Sequence, residues 1–261
     1  MSLTQELKVL LFDTELSYGI YYAFPSKKPQ FLSSKNIIHQ QFMPCAAWQW
    51  AHEVSRYVVK ITDDQKRFKK DFRDDYIVAK KMHDLMSEAD VLVAHNGDAF
   101  DIKHLNVLFR RHKLGPIPEK KSVDTLKAAR KYFNFAGNDL DSLSKLFGGK
   151  GKNRKPCWFK LTEGNEKEIS LAATYCKNDV AELERVFIEI RPYIRNLPKI
   201  RSPVIKNNYG IIQCDACGSK RLHNKGLEGG GGKPYPRVKC SECTHEMKGD
   251  MKLWKKAHPI K

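Results

Sequence analysis

No stretch of the 261-residue sequence approaches the roughly 18 consecutive apolar residues that a membrane span requires. Its opening segment, MSLTQELKVLLFD, lacks the basic start and small-residue cleavage site of a secretory signal. A cytoplasmic protein with no membrane partner is therefore expected. Internal repeats are absent. A secreted disulfide framework is excluded as well, because the seven cysteines are odd in number and four of them form two CxxC pairs near the end. Acidic residues are scarce beside basic ones, 30 Asp and Glu against 47 Lys and Arg, which leaves a formal charge of +17. Such an excess favours a polyanionic partner through counterion release, and nucleic acid is the commonest one.

What is present describes a folded chain, with 41% hydrophobic and 10% aromatic residues. Its length suits one large domain with a small appendage. Lys8 to Phe12 reads as a buried strand and Tyr18 to Phe24 as a second, opening a hairpin. Ile37 to Phe42 and Arg56 to Ile61 are weaker strand candidates, with Trp48 and Trp50 between them, and Thr62 to Asp75 reads as a solvated loop. Asp74 or Asp75 can then cap a helix running through Glu88. A short strand at Asp90 to Ala94 and a helix at Ile102 to His112 follow. Ser122 to Leu126 is a further short-strand candidate before helices near Lys127 to Phe133 and Leu140 to Phe147, and the last long helix should span Lys167 to Ile190. This order predicts an α/β fold, a mixed sheet flanked by helices. Past Pro198 the composition changes to a loop-rich, basic stretch, dividing the chain into residues 1–195 and 196–261; the latter holds 14 Lys and Arg against 5 Asp and Glu.

Three acidic clusters stand out. Asp13 and Glu15 end the first strand in LLFDTEL, and residues two apart on a strand share a face. Asp101, in VLVAHNGDAFDIKHL, follows a buried strand at the start of a helix, where the dipole favours its charge. Tyr175 and Asp179, in YCKNDV, are four apart on the long helix and hence on one face. FDTE, HNGDAFD and YCKND together resemble the three exonuclease motifs of the DnaQ-like 3′-to-5′ exonucleases of the ribonuclease H-like superfamily, in family order. Tyr-x-x-x-Asp resembles the tyrosine-bearing (DEDDy) subgroup, since Thr174 stands where the other subgroup carries histidine. SVDTLKAARKYFNF, NDLDSLSKLFG and a Lys-rich stretch ending at Trp158 are similar to a phage and bacterial branch with a terminal zinc ribbon.

The resemblance implies a ribonuclease H-like sheet and two Mg²⁺ or Mn²⁺ ions. Asp13 would bridge both, Glu15 and Asp179 would serve the water-activating one, Asp101 would support the other, and Tyr175 would orient the water. Phosphodiester hydrolysis fits that set: two cations about 3.5 to 4 Å apart stabilise the attacking and leaving oxygens, and hard cations prefer carboxylate oxygen. Leu16, His95, Asn96 and Phe100 are candidate substrate contacts: Leu16 as a wedge beneath the terminal base, Phe100 by stacking, Asn96 by hydrogen bonding. The family often has Thr where Leu16 stands. Packing or turn roles are the alternative for all four.

Cys214, Cys217, Cys240 and Cys243, two CxxC pairs separated by 22 residues, have the spacing of a structural zinc ribbon, with Gly229 to Gly232 as a flexible loop between them. His245 reads as a surface residue, and Cys45, Cys157 and Cys176 as small core residues. The surrounding Lys220, Arg221, Lys225, Lys233, Arg237 and Lys239, interleaved with Tyr235, favour backbone contact with nucleic acid. The function expected is an exonuclease working from the 3′ end of single-stranded DNA. Its alternatives are an RNA-trimming enzyme with the same site and a catalytically idle single-strand-binding protein.

Overall fold

Val9, Leu10, Leu11 and Phe12 have essentially no exposed surface, and the strand they begin is the centre of the main sheet. The computed structural model describes residues 7–24, 33–51, 53–149, 154–194, 221–228, 235–241, 244 and 246–248. In chain order the elements are β1 (Val9–Glu15), β2 (Ile20–Tyr21), β3 (Ile37–His39), β4 (Cys45–Trp50), β5 (Tyr57–Lys60), α1 (Gln65–Lys70), α2 (Tyr76–Glu88), β6 (Val91–Ala94), α3 (Asp101–Arg111), β7 (Lys121–Asp124), α4 (Thr125–Tyr132), α5 (Leu140–Leu146), α6 (Trp158–Thr162) and α7 (Glu166–Ile190). Five strands form a mixed sheet in the order β5-β4-β1-β6-β7. β4 runs antiparallel to β1 and β5 antiparallel to β4, while β6 and β7 continue parallel on the other side. Helix α7 packs against β1, β4 and β5, and α2 packs on α3. This is the α/β mixed sheet flanked by helices that the element order predicts, and it is consistent with the ribonuclease H-like fold that the resemblance implies.

Several local expectations are corrected. Tyr18 to Phe24 does not return as a hairpin with the first strand; only Ile20–Tyr21 is extended, and it pairs with Ile37–His39 in a separate two-stranded ribbon. The true partner of β1 is β4, Cys-Ala-Ala-Trp-Gln-Trp, which holds the two tryptophans expected to lie between strands. All six of its residues are buried, so it lacks the polar alternation that marks a half-exposed strand. The supposed loop from Thr62 contains α1, whose Phe68 is buried and whose start is capped by Asp64 accepting from the Arg67 N–H. Helix α6 is unforeseen, and Cys157 just before it is exposed, not a core residue. Cys45 and Cys176 are buried as expected.

In the basic tail, β8 (Leu222–Glu228), β9 (Tyr235–Cys240) and β10 (Glu246–Lys248) form an antiparallel sheet with β9 in the middle. Cys240 ends β9 and is buried. Cys214, Cys217, Cys243 and His245 lie outside the described residues, and the expected zinc site lies there with them.

Candidate active site

β1 extends past Phe12 through Glu15, so Asp13 and Glu15 are strand residues on one face. Burying Val9 to Phe12 contributes roughly 1.5–3 kcal/mol per side chain, which fixes the strand independently of what its acidic end does. On β4, Ala47 stands opposite Asp13 and Cys45 opposite Glu15, so nothing bulky crowds the carboxylates from that side.

On the other side β6 falls short. Its pairing with β1 runs to Leu11 opposite Val93, and the next donors along β1 are met by a side chain. The Thr14 N–H and its hydroxyl donate to Asp101 Oδ1 at 3.1 and 2.6 Å. Asp101 is brought there by the tight turn His95-Asn96-Gly97 after β6. Asn96 takes φ 62°, a left-handed conformation that asparagine tolerates. A Cβ on Gly97 would lie 2.4 Å from that of Ala94, so only glycine fits. Asp101 then opens α3, where the helix dipole favours its charge.

Asp124, at the end of β7, ties the same turn down: its Oδ1 accepts from the N–H groups of Asn96, Leu126 and Lys127, joining the turn to the start of α4. The His95 ring stands 2.8 Å from the Thr125 hydroxyl through Nδ1. Neither Thr14 nor Asp124 stands out in the sequence as a site residue. For Asp124 a signal existed, because Asp before Thr-Leu-Lys is a helix-cap pattern.

Helix α7 brings Tyr175 and Asp179, both buried and one turn apart. Between them Cys176 donates its thiol to the backbone carbonyl of Asp13 at 3.2 Å, linking α7 to β1. Donor atoms of Asp13, Glu15 and Cys176 all lie within 4.8 Å of one another.

The electrostatics report the same convergence. Burial raises the Asp13 carboxyl well above the ordinary carboxylate range, and repulsion from Glu15, Asp101 and Asp179 adds to it. Carboxylates from β1, α3 and α7 are therefore near enough to Asp13 to repel its charge. Asp101 is pushed up to about 6 by burial, with Asp124 adding repulsion, against the lowering effect of its bonds from Thr14. Burial, a bond with Cys45 and the neighbouring carboxylates hold the Cys176 thiol well above its usual value. With Asp13 and Glu15, Cys176 forms a group that could hold a metal ion, while its thiol donates to the Asp13 carbonyl.

The four candidate substrate contacts differ. Phe100 is 41% exposed and packs edge-on against His104, with ring centroids 4.6 Å apart, so it is not core. Leu16 is half-buried against the core. His95 is engaged with Thr125, and Asn96 is held in its turn by its backbone N–H.

Residues 51–154 match the family model described as exonuclease, RNase_T. The matched segment includes the turn after β6, Asp101 and Asp124; β1 and the Tyr175 to Asp179 turn lie outside it. No curated protein matches the chain. An exonuclease-family segment points to nuclease activity on nucleic acid, and families of this kind use divalent metals.

Proposed function

We propose that the protein is a two-metal-dependent 3′-to-5′ exonuclease of the tyrosine-bearing DnaQ-like group, acting on single-stranded DNA. The observation that carries this reading is the approach of Glu15 from β1, Asp101 from α3 and Asp179 from α7 to Asp13, whose ionised form burial and their repulsion disfavour, while burial also disfavours that of Asp101. Such a cluster suits divalent cations, whose charge relieves both penalties, and its oxygen donors match Mg²⁺ or Mn²⁺. Bound there, the cations supply a nucleophile from water and stabilise charge on the phosphate oxygens.

The chain's own residues do the rest. Asp13, at the centre of the repulsion, would hold the cations together with its neighbours. Glu15 and Asp179 flank it, and Asp101 is held in one orientation by Thr14. Tyr175, one turn before Asp179, orients the attacking water through its hydroxyl and is not a strong base. The formal charge of +17 draws the polyanion to the site. The four tail cysteines hold a structural zinc ion, and the basic tail grips the strand beyond the site.

The test is a time course on matched DNA and RNA oligonucleotides labelled at the 5′ end, with Mg²⁺, Mn²⁺ or EDTA. A descending ladder of labelled products that requires the cation is expected, with DNA degraded faster. Faster loss of RNA would make the enzyme a ribonuclease with the same site. Asp13→Asn and Asp179→Asn should each abolish turnover while leaving the fold intact; both variants keeping a tenth of the wild-type rate would overturn the assignment.

A further inference from the structure

Past the end of β1 at Glu15, the chain builds a pocket that none of the four carboxylates lines. Ser17 is buried and doubly clamped: its N–H donates to the Phe42 carbonyl at 2.9 Å and its hydroxyl accepts from the Phe42 N–H at 2.9 Å. The Tyr18 N–H donates to the Thr162 hydroxyl at 3.0 Å, and that hydroxyl in turn donates to the Trp158 carbonyl. The backbone under Tyr18 is thus fixed to α6, yet Tyr18 is 44% exposed and the neighbouring Phe159 73% exposed. Their centroids are 5.2 Å apart at an angle of 56°. With Gly19, Ile20, Tyr21, Thr162 and Glu163 they line a cavity of about 540 Å³. A Cβ on Gly19 would meet the Tyr21 ring at 2.7 Å, so a side chain there would displace that ring.

We infer that this pocket is a stacking site for an unpaired nucleobase near the 3′ end of the substrate strand, an inference that rests on the proposed function and names a contact the carboxylate site does not supply. Large aromatic rings held on a fixed backbone and left in water form the sequence-tolerant platform that single strands use. The volume lies within the roughly 300–1,000 Å³ of small-molecule sites. Charge sets the orientation. Glu163 in the lining repels phosphate and accepts from a base amino group, while exposed Arg154, Lys155 and Lys160 flank Phe159 in sequence and suit the backbone outside. Distance sets the position: the three residues from Glu15 to Tyr18 span at most about 11 Å, and a strand advances about 3.4 Å per stacked nucleotide. The occupant is one of the last few bases of the strand.

The experiment uses the full chain in EDTA, where binding is read without hydrolysis. Single-stranded DNA oligonucleotides carry the fluorescent base 2-aminopurine at one of the last three positions. One position should be quenched on binding. Phe159→Ala and Tyr18→Ala should abolish that quenching and weaken binding about 5- to 100-fold, and Phe159→Trp should restore both. Replacing the same base by an abasic site should weaken the wild type by a similar factor and leave Phe159→Ala nearly unaffected. Unchanged quenching in both alanine variants, or equal abasic sensitivity in wild type and Phe159→Ala, would overturn the pocket. Hydrolysis under Mg²⁺ is scored separately, so an inactive protein that still quenches would refute the exonuclease reading and keep the base site.

Discussion

Asp101 shows how one residue can be held against its own preference. Buried at the head of α3 and facing other carboxylates, it titrates at about 6, whereas an unperturbed aspartate titrates near 3.9. Between those values the folded chain retains a proton that the unfolded chain has released, so stability rises as pH falls through the window and is lost as pH rises through it. That displacement corresponds to about 3 kcal/mol, less than the burial of Val9 to Phe12 supplies, so the fold tolerates it. In EDTA the melting temperature should be higher at pH 5 than at pH 7, and Asp101→Asn should reduce that difference, with Asp13 supplying the remainder. Mg²⁺ should raise the melting temperature at pH 7 more than at pH 5. Identical pH profiles for wild type and Asp101→Asn would refute Asp101 as a source of the effect. Tyr175→Phe tests the other arm of the site: losing a water-positioning hydroxyl should slow single turnover on the order of 10² to 10⁴-fold while cation binding persists. An unchanged rate would make Tyr175 a packing residue.

Among elements, the junction of α2, α3 and the approach to β4 depends on Asp75. It sits at the N-cap position of α2, yet its side chain does not cap the helix; Asp74 takes the Tyr76 N–H instead. The Asp75 carboxylate, 1% exposed, accepts from the Met43 N–H at 3.0 Å and Arg111 Nη1 at 3.2 Å, and stands 2.6 Å from His112 Nε2. Removing it leaves the buried Met43 N–H and Arg111 Nη1 without this acceptor, although Arg111 Nη2 keeps Gln40 and the Gln41 carbonyl. Breaking a buried pair costs about 3–5 kcal/mol, and the partial exposure of Arg111 lowers that, so Asp75→Ala should destabilise by about 2–4 kcal/mol in urea titration. A loss under 1 kcal/mol would mean that packing alone joins these elements.

For the whole molecule the deciding quantity is charge distribution. All five residues proposed for the chemistry precede residue 196, while the segment from 196 carries a formal +9. Deleting that segment should leave a folded domain that still hydrolyses short substrates but binds long single strands more weakly. Each lost phosphate contact lowers the slope of log affinity against log salt by about 0.7, so three lost contacts should be measurable. Titrating full-length and truncated protein with one long oligonucleotide at several salt concentrations gives both slopes. Coincident slopes would assign the tail to protein docking.

Asp13 with Glu15, and Tyr175 with Asp179, were legible in the sequence because strand and helix periods are local: residues two apart on a strand or four apart on a helix share a face whatever surrounds them. The Asp101 turn was legible in part, since His-Asn-Gly supplies residues suited to a tight bend. Which strand lies beside β1 was not. Cys-Ala-Ala-Trp-Gln-Trp lies some thirty residues away from its partner and is buried throughout, so no alternation announces it, and only the assembled sheet selects it over Tyr18 to Phe24. The same holds for Thr14 on Asp101, Asp124 on the Asn96 turn and Cys176 on the Asp13 carbonyl. Periodicity constrains directions along one element, whereas these contacts depend on how separate elements pack, and packing is decided by the whole core at once.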